Sequence, residues 1–219
     1  PEEVMRGLDD LVRQGKVLYV GISDAPAWVC AQTNTLAELR GWSPFVALQV
    51  EYSLIERTIE RELLPMADAF GLSVTPWAPI AGGVLTGKYT RNASPTDTKR
   101  AGGNEGRLTD RNLEIARLVD TIADEIGKPS AQVAVNWVRQ QPHDIVPIVG
   151  ARKVSQVEDL MDALDWELAP EHLQKLSEAS AIELGFPHDF TTREGIMPIV
   201  YGDVHERIDL PDAVNKRMG

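Results

Sequence analysis

Residues 75–88 contain three kinds of group that together could bind a nucleotide. Trp77 offers a flat indole on which another ring can stack. Gly82 and Gly83 leave backbone N–H groups accessible, and Lys88 adds a positive charge, a combination that binds phosphate. Taken alone, the segment fits an ordinary strand-to-helix loop with Trp77 in the core slightly better. The nucleotide interpretation therefore depends on what the rest of the chain places beside it.

Four short apolar runs predict the strands that would position this loop. They are aliphatic or β-branched and lack a regular polar alternation, as is typical of parallel strands covered on both faces. Helix and strand patterns alternate along the chain, which then ends in helices, so the order predicts an α/β fold with parallel strands. The runs cover residues 17–22, 46–50, 72–77 and 145–149.

Amphipathic segments between the runs predict the helices. Asp24, two residues before Pro26, marks a helix start with Asp24 as its N-cap. Gly15, Gly71 and Gly127 stand where helices end. The other predicted helices span residues 2–13, 59–70, 110–126, 131–140, 153–163 and 170–180.

Polar groups follow the predicted strands at their carboxyl ends, where parallel sheets bind ligands. The first two ends carry Ser23, Asp24 and Gln49, whose hydroxyl and amide groups suit a carboxamide. The fourth carries Arg152 and Lys153, which suit a terminal phosphate on an adenosine ribose. Each signal has a plainer interpretation: an N-cap, a satisfied core amide, and a solvated pair of surface cations. Their order on successive strand ends favours a binding site.

Whole phrases of this sequence resemble the C-terminal half of an aldo-keto reductase. That family folds as a (β/α)8 TIM barrel and uses NADPH without a Rossmann fold. The resemblance covers residues 1–180 and implies a half-barrel of four parallel strands with their helices, which binds NADP(H). Residues 181–219 resemble the tail of one bacterial branch and would pack on or beside the barrel. Besides residues 75–88, the matching phrases are LVRQGKV at 11–17, VGIS at 20–23, QVEYSL at 49–54, AQVAVNWV at 131–138 and IVGAR at 148–152.

The resemblance implies contacts to the nicotinamide end of NADPH. Ser23 and Gln49 match the residues that bind the carboxamide, and Trp77 matches the ring that stacks on nicotinamide. Asp24 stands where the family often has Asn, and an ionised acid accepts hydrogen bonds but cannot donate them. The implied pyrophosphate contacts are Ala78, Pro79, Ile80, Ala81 and Gly82, with Lys88 as the neutralising cation.

The resemblance also implies contacts to the adenosine end. Gly150 and Arg152 match the site of the 2′-phosphate, which favours NADPH over NADH because only NADPH carries that charge. Gln156 and Asp159 match polar contacts to the adenosine. Residues 91–106, which include Lys99 and Arg100, stand where some relatives fold a belt across the cofactor.

The family's catalytic Asp, Tyr, Lys and His are not found in this chain. In the family they lie upstream of the helix with which this sequence begins, so we expect them in an N-terminal half of the barrel. Glu51 and Tyr52 follow the second strand without a suitably placed Lys, and packing explains them better. The four histidines, at 143, 172, 188 and 205, fall in turns, a late helix and the tail. No catalytic residue and no metal ligand is assigned.

The composition limits the setting of the protein. A net charge of −11 and a pI near 4.8 argue against general binding to nucleic acid or to an anionic membrane surface. Cys30 is the only cysteine, which excludes an internal disulfide framework and fits a reducing cytoplasm. No apolar run is long enough to span a bilayer. We therefore expect a soluble cytoplasmic protein.

Two functions follow as hypotheses. The first is an NADPH-dependent oxidoreductase that reduces aldehydes or ketones to alcohols, or the reverse, with its cofactor site on this chain. The second is a non-catalytic NADP(H)-binding or self-assembling half-barrel module without reductase activity. Four parallel strands alone would leave two unpaired edges and an apolar face exposed. A fragment of a complete reductase, a pairing of half-barrels or a homo-oligomer would each cover them.

Overall fold

The computed structural model describes residues 1–91, 104–191 and 195–207. The fold is α/β, built on a parallel three-stranded sheet in the order β1-β2-β3. The strands are β1 (Val20–Ser23), β2 (Phe45–Gln49) and β3 (Ser73–Val74). Their order along the sheet is their order in the sequence, as expected when each helix returns the chain to the next strand.

The fourth predicted strand lies beside β3 but is not a regular strand. Val74 and Ile145 form an isolated parallel bridge. The N–H of Val146 donates to the carbonyl of Val74 at 2.9 Å, and that of Ile148 donates to Pro76 at 2.8 Å. Pro76 and Pro147 have no N–H to donate, so the ladder cannot continue through them. Three strands and one extended segment therefore replace the predicted four strands.

The helices follow the predicted pattern with several corrected ends. The predicted helix at 59–70 is wrong in its first part, because a separate 3₁₀ turn, Thr58–Glu60, precedes the α-helix. The prediction that Asp24 caps a helix is also wrong: its φ of 49° lies outside the helix, and Pro26 takes the N-cap position. The helices are α1 (Glu2–Arg13), α2 (Ala27–Arg40), α3 (Leu63–Phe70), α4 (Asp110–Ile126), α5 (Ser130–Arg139), α6 (Val154–Met161), α7 (Pro170–Ala179), α8 (His188–Thr191) and α9 (Ile196–Tyr201).

One face of the sheet packs on the helices to form the core. Leu48 of β2 lies between Ile22 and Val74 in register, and all three contact this core. Because side chains alternate along a strand, the next residues turn to the opposite face. These are Ser23, Gln49, Thr75 and Val146, which are exposed or half-buried. The sheet thus has one apolar, helix-covered face and one open face that carries polar groups at its carboxyl edge.

The segment after α7 packs beside the start of α3. The Arg61 guanidinium donates to the carbonyl of Glu183 at 2.9 Å, and His188 Nε2 lies 2.8 Å from Glu62 Oε1. Residues 208–219 of the predicted tail lie outside the described residues. Among the helices that the structure does describe, none has the length and apolarity that a membrane span requires.

Candidate functional site

The carboxyl ends of the three strands bring four predicted site residues into one hydrogen-bonded group, the strand-tip cluster: Ser23, Asp24, Gln49 and Trp77. Trp77 Nε1 donates to Asp24 Oδ1 at 3.1 Å, and Ser23 Oγ donates to Asp24 Oδ2 at 3.2 Å. The backbone N–H of Asp24 donates to the Gln49 carbonyl at 3.1 Å. Asp24 therefore orients the indole of Trp77, a role that the N-cap interpretation missed.

Unusual backbone conformations coincide with the predicted site. Among the described residues, the non-glycine residues with positive φ are Asp24 (49°), Ala78 (54°) and Ala81 (50°). All three were predicted from the sequence as cofactor contacts. This conformation is costly for residues with a Cβ, and such strain concentrates at ligand sites. Gly82, with φ 65°, extends the same irregular loop without that cost.

A cleft of about 590 Å³ lies beside this loop. Its walls come from the loop itself, from the start of α5 and from the segment that leads into α6. Seven of the predicted site residues line it: Ile80, Gly82, Lys88, Gly150, Arg152, Gln156 and Asp159. The strand-tip cluster does not line it, and Pro79 and Ala81 are buried behind the loop. The structure thus separates the predicted contacts into a ring-holding group and a cleft.

Three cations line this cleft: Lys88, Arg152 and Lys153. In the part of the chain that the structure describes, none of their side chains forms an ion pair, although the sequence carries 33 acidic residues. Unpaired like charges around one concavity raise the local concentration of anions. The cleft therefore favours an anionic ligand in a protein whose net charge is strongly negative.

Two of the predicted adenosine contacts also hold α6 in place. Gln156 Oε1 accepts the backbone N–H of Arg152 at 2.8 Å, which fixes the turn that carries the cations. The Asp159 carboxylate accepts from Gln132 Nε2 at 2.9 Å, and Gln132 Oε1 in turn accepts from Trp166 Nε1 at 2.9 Å. The end of the cleft that contains Arg152 is consequently anchored to α5.

A short segment that sequence reasoning missed crosses the loop at Gly82. The buried Asn104 side chain donates to the Gly82 carbonyl at 3.1 Å and to the Tyr89 hydroxyl at 3.2 Å. Arg107, three residues on, forms an ion pair with Glu51 at the end of β2. Burial raises the pKa of Glu51, and the guanidinium offsets part of that rise. The greater part of the predicted belt, residues 92–103, lies outside the described residues.

Residues 1–181 of the chain match the sequence model of the aldo/keto reductase family. The chain belongs to the aldo/keto reductase family. It is 34% identical over 192 residues to a probable aryl-alcohol dehydrogenase of Saccharomyces cerevisiae, covering 86% of this chain and 58% of that protein. It is also 34% identical over 197 residues to an NADP(+) aryl-alcohol dehydrogenase of Phanerodontia chrysosporium, covering 85% and 50%.

A norsolorinic acid reductase of Aspergillus flavus is 33% identical over 189 residues, which cover 86% of this chain and 47% of that enzyme. This aldo/keto reductase chain therefore spans about half the length of the curated relatives it matches. The family folds as a (β/α)8 barrel, and the parallel sheet seen here is consistent with part of one.

Tyr52 of this aldo/keto reductase chain is a packing residue. Its ring is 1% exposed and lies 5.4 Å from the ring of Trp137. Its hydroxyl donates to Glu60 Oε1 at 2.7 Å, and Arg57 pairs with the same carboxylate at 2.7 Å. Burial, with the Glu60 charge, raises the pKa of Tyr52 far above its ordinary value. A buried phenol held in this way is a poor proton donor to a ligand at the strand tips.

Proposed function

We propose that the strand-tip cluster and the cleft form the NADPH site of an oxidoreductase that interconverts a carbonyl compound and an alcohol. The observation that carries the proposal is the set of unpaired cations around one cleft, next to an indole held by a carboxylate. Membership of the aldo/keto reductase family supports an oxidoreductase. The name of the Phanerodontia chrysosporium relative supports NADP(H) as the cofactor.

The residues present fit this cofactor at both of its ends. Arg152 would pair with the 2′-phosphate, and Lys88 would neutralise the pyrophosphate, since both line the cleft without an ion pair in the described chain. Trp77 would stack on the nicotinamide. When bound, NADPH would supply the hydride that reduces the carbonyl carbon.

The strand tips would fix the orientation of the nicotinamide ring. The Ser23 hydroxyl donates to Asp24, so its lone pairs remain to accept from a carboxamide N–H. The exposed Gln49 amide can both donate and accept. Asp24 holds the indole edge, and its carboxylate oxygens already accept from Trp77 and Ser23. We assign it a positioning role instead of a carboxamide contact.

We propose that the described sheet is part of a (β/α)8 barrel whose other strands cover its open face. Val146 is 59% exposed on that face, and Ile148 is 41% exposed. The relatives are about twice as long as the matched segment, which leaves room for the remaining strands. The group that protonates the carbonyl oxygen would lie on that part of the barrel, because Tyr52 is buried and bound to Glu60.

We propose aromatic aldehydes and the corresponding benzylic alcohols as the substrate class, because two of the similar proteins are named aryl-alcohol dehydrogenases. The test is the loss of NADPH by the purified protein with and without an aromatic aldehyde, alongside a direct titration with NADPH. Aldehyde-dependent oxidation of NADPH, together with binding, supports the proposal. Binding without oxidation supports the alternative, a non-catalytic NADP(H)-binding half-barrel module. A chain that binds no NADPH would overturn the cofactor assignment.

A further inference from the structure

Asp120 is a buried carboxylate on α4, behind the wall of the cleft. It is 7% exposed and does not line the cleft itself. The Ser130 hydroxyl donates to Oδ1 at 2.6 Å, and the Thr90 hydroxyl donates to Oδ2. Arg91 Nε lies 3.4 Å from Oδ1. A buried carboxylate is costly unless its oxygens are satisfied, and here three side chains satisfy them.

The partners of Asp120 belong to two separate parts of the cleft wall. Ser130 lines the cleft at the start of α5. Thr90 and Arg91 directly follow Lys88 and Tyr89, which line it on the side of the loop. One carboxylate therefore ties the segment that carries Lys88 to the start of α5.

The backbone immediately before Lys88 passes close to the same carboxylate. Gly87 has φ 78°, and a Cβ added there would lie 3.1 Å from Asp120 Oδ1 and 2.9 Å from the Arg91 side chain. No side chain fits at that position without displacing Asp120 or Arg91. The path of the chain into Lys88 is thus built around Asp120.

The charge of Asp120 is compensated on the side away from the cleft. Arg91 bonds to the Asp120 carbonyl at 3.1 Å and pairs with Asp124 at 2.9 Å, besides its contact with the buried carboxylate. Lys88 itself forms no ion pair with Asp120. Its positive charge consequently remains available to a ligand while Asp120 holds the backbone beside it.

We propose that Asp120 is a positioning residue for the cleft: it sets where Lys88 stands relative to the α5 wall, and so sets the affinity for the pyrophosphate of NADPH. The inference rests on the proposed function, because it needs NADPH to bind in the cleft. Asp120 would not contact the cofactor.

The experiment measures dissociation constants of the purified protein for NADPH and for adenosine 2′-monophosphate, which lacks the pyrophosphate. We expect Asp120→Asn to weaken NADPH about tenfold, the loss of one misplaced charge-assisted contact. Adenosine 2′-monophosphate should bind with unchanged affinity, because it depends on the Arg152 end. Thr90→Ala, which removes one bond to Asp120 without altering the cleft lining, should weaken NADPH in the same direction by less.

A double-mutant cycle separates positioning from general loosening of the fold. In a Lys88→Met background, Asp120→Asn should change NADPH affinity by less than about twofold, because the group that it positions is gone. The matched control is Asp9→Asn. Asp9 is also a buried acid, 2% exposed, and accepts from Ser43 and Arg13, but it does not line the cleft or bond to a residue beside it. It should leave NADPH binding unchanged.

The outcomes distinguish this inference from the proposed function. If the wild-type protein does not bind NADPH, both fall. If it binds NADPH and Asp120→Asn binds it equally well, only the role of Asp120 is overturned. That role is also overturned if the loss persists in the Lys88→Met background, or if Asp9→Asn causes an equal loss. Should Asp120→Asn fail to fold, Thr90→Ala decides: unchanged NADPH affinity in that variant overturns the inference.

Discussion

The strand-tip cluster and the cleft solve opposite physical problems within one candidate site. In the cluster, the polar groups satisfy one another: Trp77 and Ser23 donate to Asp24, and Asp24 donates to Gln49. In the cleft, Lys88 and Arg152 have no ionic partner in the described chain. A satisfied cluster holds a shape, whereas unpaired charges attract a ligand.

That difference assigns orientation to one region and affinity to the other. Changes in the cleft should alter how tightly phosphate-bearing ligands bind. Changes in the strand-tip cluster should alter how the nicotinamide is held, with smaller effects on affinity. Substitutions in each region can therefore show whether orientation and affinity are separate.

The largest effect is expected from Arg152→Ala. Loss of a charge-assisted contact to the 2′-phosphate should weaken NADPH by about 10- to 100-fold, and NADH, which lacks that phosphate, by less than about threefold. Titration with both cofactors measures the two losses. The exposed Arg117 on α4 supplies the control, Arg117→Ala, which should change neither affinity. Equal losses of NADPH and NADH would remove Arg152 from the 2′-phosphate site.

Gly82→Ala tests whether the loop that joins the two regions is held in a special conformation. Gly82 has φ 65°, and a Cβ there would stand 2.6 Å from Asn104 Oδ1. The substitution should lower the free energy of unfolding by about 1–3 kcal/mol. Gly7→Ala in α1 is the matched control, because nothing lies within 4 Å of its added Cβ. It should be neutral or stabilising in the same denaturant titration, and a similar loss in both variants would contradict a special role for Gly82.

Trp77→Ala and Trp77→Phe separate the ring from its hydrogen bond. Removing the ring should weaken NADPH and NADH alike by about tenfold, the lower range for loss of one base–aromatic stack. Phe keeps a stacking face but has no N–H for Asp24, so most of the affinity should return. Fluorescence or calorimetric titration measures both variants. If Phe binds as poorly as Ala, the bond to Asp24 matters more than stacking.

The smallest effect is expected from Asp24→Asn. A carboxylate beside a stacked nicotinamide favours the oxidised ring, which is a cation, over the neutral reduced ring. Because Asp24 is exposed, screening should limit the change in the ratio of NADP(+) to NADPH affinity to about two- to threefold. The ratio should move toward NADPH in Asp24→Asn, and added salt should reduce the change. Equal shifts in both affinities would show that Asp24 acts only on the indole.

The sequence predicted long, strongly patterned elements best. The bounds of α1 and α4 agree with the predicted 2–13 and 110–126, because amphipathic periodicity and a closing glycine at 127 are local signals. Gly71 and Gly127 end their helices with φ 64° and 65°, as predicted. The fourth strand was predicted less well, because Pro147 permits an extended chain but not a continuous ladder.

The predicted site residues divide according to whether their partners are close in sequence. The neighbouring Pro26 made Asp24 resemble an N-cap, whereas its carboxylate bonds to Trp77, 53 residues away. Asn104 and Asp120 were missed for the same reason, since their partners lie on other segments. One local signal could have revealed Asp120: it is an acid on the buried face of α4, among Val119 and Ala123. A charge on an apolar helix face requires a partner.

Backbone hydrogen exchange with and without saturating NADPH shows whether this chain binds the cofactor across both regions. We expect slower exchange in residues 77–88 and 150–156, with residues 181–191 unchanged. NADH at the same concentration should slow exchange in residues 77–88 but protect residues 150–156 less. Protection confined to other parts of the chain, or no protection in either segment with NADPH, would contradict the assignment.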